Sequence, residues 1–240
     1  MKIAYKGTAY CGFQIQPNGN TIQAEIEKAI YNITGEKTTV IPSGRTDSGV
    51  HALCQTAHFD TDSAIPPAKF ASAVNAFLPK DIRVQQTEKA ENDFHARYSA
   101  KKKTYRYTYY SAPQDNPLIS EFAVRTCSEL NVESMKKAAS YLIGEHDFAG
   151  FTNTGSPVNS TVRTIYSAEI KTNGNVTEIY LSGSGFLYNM VRIIASTLKD
   201  IGEGKIPPER VKKILLSGDR NLASPTAPPE GLCLISVDYE

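Results

Sequence analysis

One carboxylate in this sequence sits in a fixed loop of the kind where working side chains tend to be found. It is Asp47, in the string Gly44-Arg45-Thr46-Asp47-Ser48-Gly49-Val50-His51-Ala52. Thr-Asp-Ser-Gly is turn chemistry, because short polar side chains bond back to nearby main chain. Glycine at both ends lets the backbone take positive φ or pass close to a neighbour. Such a loop holds a side chain at a fixed place on a rigid scaffold. Taken alone, an aspartate here is most often structural, so the remaining residues decide. Arg45, two places earlier, either points to solvent or meets a phosphate.

A second group lies in Lys101-Lys102-Lys103-Thr104-Tyr105-Arg106-Tyr107-Thr108-Tyr109. Strand periodicity puts Tyr105, Tyr107 and Tyr109 on one face. For Tyr107 and Tyr109 the expected place is the core. A tyrosine beside Lys101, Lys102, Lys103 and Arg106 can instead stack on an unpaired base while a phosphate is held nearby. A third candidate is Arg192, in Gly185-Phe186-Leu187-Tyr188-Asn189-Met190-Val191-Arg192, just off the apolar stripe of a helix. His51 and His58 have neither the spacing nor the acidic partner of a zinc site. The four cysteines, at 11, 54, 127 and 233, form no CxxC pair. Neither a metal nor a disulfide framework is expected.

These residues need a scaffold of ordinary globular kind. The chain has 240 residues, 40% hydrophobic and 21% charged, enough for one large or two modest cores. A net charge of +1 gives no sign of a nucleic-acid partner; only the local 101–106 cluster does. No run is long enough for a membrane span, and Met1–Lys6 reads as a strand without a signal-peptide pattern. A cytoplasmic protein is expected.

The first half reads strand, helix, strand, strand, helix, strand. Ile3–Lys6 is followed by a helix with stripe Ile22, Ile26, Ala29, Ile30 and Ile33, capped by Asn20 or Thr21 and stopped by Gly35. Strands follow over 38–42 and 55–60, then a helix from Pro66-Pro67 carrying Phe70, Val74 and Phe77, then a strand over 82–87. After the tyrosine strand, 103–110, the order repeats: a strand over 122–126 and a helix over 132–143 stopped by Gly144. A hairpin over 161–171 and 176–183 then turns at Asn173-Gly174. A helix over 188–201, a short helix after Pro207-Pro208 and a strand over 232–239 complete it. The fold class is α+β: two pseudo-duplicated βαββαβ-type halves, residues 1–100 and 101–240, with antiparallel sheets covered by helices.

The full strings resemble the tRNA pseudouridine synthases of the TruA family. G-R-T-D-[small]-G-V-H-A is similar to the family's signature, in which the aspartate is catalytic. Phe94-His95-Ala96-Arg97-Tyr98-Ser99-Ala100 with Lys-Thr-Tyr-Arg-Tyr resembles its second motif, whose first tyrosine packs on the target base. Phe186 to Arg192 resembles F-L-x-x-M-V-R, whose arginine pairs with the catalytic aspartate, which implies an active-site cleft between the two halves. Ala227-Pro228-Pro229-Glu230-Gly231-Leu232 resembles the A-P-x-x-G-L close, where the leucine lines the pocket. Asn18–Gln23 and Gly144–Phe148 add to the match, while Phe13, Ser48 and Tyr98 replace the usual Trp, Ala and Phe.

The resemblance implies conversion of uridines 38, 39 and 40 of the tRNA anticodon arm to pseudouridine. Asp47 is then nucleophile or base, paired with Arg192, and Tyr105 is on the uracil. Arg45 and the 101–106 cations lie on the RNA, Leu232 is in the pocket, and the chain is a homodimer. An isomerisation needs no cofactor. A guanidinium beside a desolvated carboxylate keeps it ionised and oriented. A non-catalytic RNA-binding protein with RRM-like sheets gives Asp47 no role and lacks an RNP1-like string. An Asp/His hydrolase using His51 or His95 lacks a second carboxylate or a metal set.

Overall fold

The computed structural model describes residues 1–17, 19–153 and 159–240. Asn18, at the head of the motif before the first helix, lies outside the described residues. The chain forms two compact units, Met1–Lys101 with Cys233–Glu240, and Lys102–Leu232.

The first unit holds β1 (Lys2–Tyr5), α1 (Ile22–Thr34), β2 (Ile41–Pro42), β3 (His51–His58), α2 (Pro67–Asn75), β4 (Ile82–Gln86) and nearly all of β10 (Leu232–Asp238). β1 pairs antiparallel with both β3 and β4, and β2 pairs antiparallel with β3. α1 begins where Thr21 accepts a hydrogen bond from the Ala24 amide, and it ends at Gly35 with φ 75. A residue without Cβ suits that left-handed stop. Ile22, Ile26, Ala29 and Ile30 are buried along one stripe, as their spacing predicts.

The second unit holds β5 (Lys102–Ser111), β6 (Val124–Thr126), α3 (Val132–Ser140), β7 (Gly144–Asp147), β8 (Val162–Asn173), β9 (Val176–Gly183), α4 (Met190–Gly202) and α5 (Arg210–Ser217). β5, β9, β8 and β7 pair antiparallel in that order. The 13-residue α4 buries Val191, Ile194, Ala195, Leu198 and Ile201. Tyr107 and Tyr109 are fully buried in the core.

The α+β class holds, with differences in detail. β10 pairs parallel with β3, and β6 with β5, where antiparallel sheets were expected. β10 joins the first unit although its place in the chain suggests the second. β3 starts at His51, four residues before the expected 55, because the glycine-rich string hides its first residues. Gly144 opens β7 rather than merely ending a helix. The hairpin joins Asn173 directly to Val176, so its two-residue turn is Gly174-Asn175, with Gly174 at φ 58. Among the described residues no helix is long and apolar enough to cross a membrane.

Candidate active site

Asp47 sits half-buried in the loop between β2 and β3, and its neighbours are held from several directions. The Asp47 carbonyl accepts the Val50 amide at 3.1 Å, closing a turn in which Gly49 has φ 78. On the upstream side, the Thr46 hydroxyl meets the Tyr5 phenol at 2.8 Å. Burial pushes that phenol well above its ordinary pKa, so it stays neutral. The Thr46 carbonyl accepts the Phe13 amide at 3.1 Å. Below it, Gln55 donates to the Gly44 carbonyl at 2.9 Å and accepts from Ser43 Oγ at 2.6 Å.

The downstream side is held by Tyr10. Its carbonyl accepts Ser48 Oγ at 3.2 Å and the Gly49 amide at 3.3 Å. Its phenol donates to Asp81 at 2.7 Å, which fixes Tyr10 in turn. The serine that stands in place of alanine after Asp47 therefore ties the loop to the segment over 7–13.

Two glycines make this clamp possible. A Cβ on Gly12, at φ 89, would lie 2.7 Å from the Thr46 carbonyl oxygen. A Cβ on Gly7 would lie 2.0 Å from the Val50 carbonyl oxygen, and the Gly7 amide donates to His51 Nδ1 at 3.0 Å. Gly7→Ala is expected to destabilise the protein by about 3 kcal/mol, the upper end of what overpacking costs. It should also lower turnover, because the clash displaces the loop that carries Asp47. A denaturation midpoint within about 0.5 kcal/mol of wild type would show that the segment moves aside freely.

In the second unit, Arg192 is oriented by its own element and by the segment before β10. Its Nε donates to the Ala227 carbonyl at 2.7 Å, and one terminal nitrogen donates to Asn189 Oδ1 at 3.0 Å. Asn189 precedes α4 with φ 59, a left-handed conformation that asparagine tolerates better than most residues. That conformation explains why the helix begins at Met190 rather than at Tyr188. The 224–231 segment is itself anchored. Ser224 bonds Asp200 at 2.5 Å, and the Tyr107 phenol donates to the Pro228 carbonyl at 2.7 Å. A Cβ on Gly231 would lie 2.6 Å from the Tyr107 ring, so only glycine lets the chain cross there. Leu232, buried, follows directly.

Tyr105 is 8% exposed and packs edge-on against Phe186, with ring centres 5.2 Å apart. It lies opposite Leu181 on β9, whereas Arg106 lies opposite Tyr180. The pleat therefore sends Arg106 to the other face, where it bridges Glu178 at 3.3 Å. Arg106 is thus close to Tyr105 in sequence but not beside its ring. Lys101 is exposed, Lys102 and Lys103 are half-buried, and Arg45 is exposed.

Both histidines of the hydrolase reading serve the main chain. His51, 4% exposed, accepts the Gly7 amide through Nδ1, and His95 Nδ1 accepts the amides of Arg97 and Tyr98 at 3.1 and 3.3 Å. Among the described residues no group of three His, Cys, Asp or Glu side chains is placed to hold a metal ion.

Sequence reading missed Tyr5, Tyr10, Gln55, Asn189 and Ala227 as positioning residues. Only Asn189, before a helix start, carried a local signal.

Residues 1–99 and 138–240 match the family described as tRNA pseudouridine synthase. The chain belongs to that family. It is 46% identical over 239 residues to tRNA pseudouridine synthase A 2 of Clostridium perfringens (strain 13 / Type A), covering 100% of this chain and 98% of the relative. It is 47% identical over 237 residues to tRNA pseudouridine synthase A of Thermoanaerobacter sp. (strain X514), covering 99% and 97%. The TruA-family resemblance of the motifs therefore extends over the chain. Among solved structures, a chain of a Cbf5-Nop10-Gar1 complex aligns with 98% of this chain and 57% of its own, at TM-score 0.38 and 11% identity. That likeness is too slight to inform the fold.

Proposed function

We propose that this chain converts uridines 38, 39 and 40 of the tRNA anticodon arm to pseudouridine, with Asp47 as the catalytic carboxylate. The observation that carries the reading is the clamp on the 44–50 loop, in a chain whose residues 1–99 and 138–240 match the family. A loop fixed through Tyr5, Phe13, Tyr10 and Gln55 holds its carboxylate still, as a group that must meet one reacting atom requires.

The reaction breaks the bond from uracil N1 to the sugar and forms one from C5 to the same sugar carbon. The proton leaves C5, and one is gained at N1. Nothing is oxidised or reduced. A carboxylate serves by attacking the sugar or the base, or by taking a proton from the sugar. The target nucleotide must first leave its stack.

Arg192 is the proposed cation for Asp47. Bonds to Ala227 and Asn189 fix the direction of its planar guanidinium, a group that suits a carboxylate. Tyr105 packs on the extruded uracil, with Leu232 lining the pocket. Arg45, Lys101, Lys102 and Lys103 hold the backbone, whereas the charge of Arg106 is shared with Glu178 on the other face of β5. The chain is proposed to act in the cytoplasm as a homodimer on tRNA.

The test is incubation with uridine-labelled tRNA. Pseudouridine should form at those three positions in the anticodon arm. Free uracil, or binding without turnover, would support the hydrolase or the RNA-binding reading instead.

Tyr105→Leu should weaken tRNA binding by roughly 1–3 kcal/mol, whereas Tyr105→Phe should bind nearly normally. The leucine variant also loses the ring contact with Phe186, a stability loss of about 1 kcal/mol. Equal and severe loss in both variants would move the role from the ring to the hydroxyl.

A further inference from the structure

An ordered aromatic pile rises from the far end of β3 and ends in solvent. His58, the last residue of β3, lies edge-on to His95 with ring centres 4.7 Å apart. His95 lies against Tyr98 at 4.3 Å with planes 32° apart. Tyr98 is 77% exposed. The exposed Arg97 guanidinium stands 5.8 Å from the Tyr98 ring centre.

The turn that presents Tyr98 is held by bonds to its own ring and main-chain groups. His95 Nδ1 accepts the Arg97 and Tyr98 amides, His58 Nδ1 accepts the Ala96 amide at 3.1 Å, and Ser99 closes the turn onto His95 in both directions. Beneath it, Phe94 packs on Tyr239 at 5.0 Å, and the Tyr239 phenol donates to the Ala96 carbonyl at 2.8 Å. Burial keeps His58 below the usual histidine range, so the base of the pile stays uncharged.

A tyrosine ring this open contributes little to the core, yet its backbone is fixed. An aromatic face already ordered loses little entropy when a flat partner lands on it. The Arg97 guanidinium, already over the ring, can add its own plane to the contact, as arginine does on bases. We propose that Tyr98 is a stacking platform for an unpaired nucleobase of the tRNA substrate, separate from the site that receives the reacting uridine. The seven-residue step along β3 from His51 to His58 sets it roughly 20 Å from the Asp47 loop. Arg97 and Lys101 are basic, but Glu91 and Asp93 precede the turn. The contact therefore works by stacking rather than by phosphate attraction. This inference rests on reading the chain as acting on tRNA.

The chain contains no tryptophan, so Tyr98→Trp makes a single fluorescent reporter on the platform. Adding unmodified tRNA should quench it with the same midpoint as binding measured by filter retention. Tyr98→Ala should bind tRNA roughly 5- to 100-fold more weakly, and Tyr98→Phe nearly normally. The loss should be similar at low and high salt, since no ion pair is removed. Alanine-variant affinity within twofold of wild type, or tryptophan emission unmoved by saturating tRNA, would overturn the platform while wild-type turnover leaves the enzymatic reading intact. Emission that follows protein concentration and ignores RNA places a second copy of the chain on the ring, and overturns it too. A wild-type protein that neither binds nor modifies tRNA removes both readings.

Discussion

Asp47→Asn is expected to stop pseudouridine formation, by at least roughly 10³-fold, while tRNA affinity stays within about threefold of wild type. Asparagine keeps the size of the side chain. The bonds that clamp the loop to Tyr5, Phe13 and Tyr10 are made by Thr46, Ser48 and Gly49 rather than by the Asp47 carboxylate. The loop should therefore fold as before and present an amide in the place of the charge. An amide neither attacks carbon nor takes a proton at neutral pH, and the loss corresponds to about 4 kcal/mol of barrier. The measurement is single-turnover conversion of labelled tRNA, with binding followed separately. Activity within about tenfold of wild type would remove Asp47 from the chemistry.

The second large effect is expected at Arg192. Lysine keeps the charge there, but it has no fixed fork to satisfy the Ala227 carbonyl and Asn189 together. Arg192→Lys should lower turnover by roughly 10²-fold, about 2.7 kcal/mol. Arg192→Ala should lower it further. Both losses mix two roles, support of the 224–231 segment and pairing with Asp47, and a double-mutant cycle separates them. Asp47→Ala and Arg192→Ala should be non-additive in stability by about 1–2 kcal/mol. That lies below the 3–5 kcal/mol of breaking a fully buried pair, because both side chains are half-buried. Additive stabilities would leave Arg192 as a support for Ala227 and a contact for RNA.

What was legible in the sequence is what local chemistry decides. Thr21 and Gly35 bound α1 because capping and left-handed stops act within a few residues. The alternation of Tyr105, Tyr107 and Tyr109 gave a strand with its core face. What stayed hidden is held over distance. Nothing near Asp47 announces that Tyr5 reaches Thr46 across 41 positions, or that Tyr10 is fixed by Asp81 across 71. Gln55 and His51 look like surface or catalytic residues until their main-chain partners are seen. Arg106 shows the opposite error: proximity in sequence grouped it with Tyr105, although the pleat of one strand separates them. The shift in the start of β3 has the same origin, since glycine-rich strings mask the first residues of a strand they lead into.

The placement of residues 233–240 in the first unit bears on how the chain is made. Those residues pair with β3 through Cys233 and Leu234, so the first unit lacks a strand until they exist. The second unit, Lys102–Leu232, is synthesised in between. At about 5–20 residues per second, that interval is on the order of ten seconds. Throughout it, β3 carries an unfilled pairing edge beside the 44–50 loop, and the second unit can finish folding first. The part made first is thus completed last, once residues 233–240 are made. The nascent chain must guard that open edge against pairing with a neighbour until its own last strand arrives.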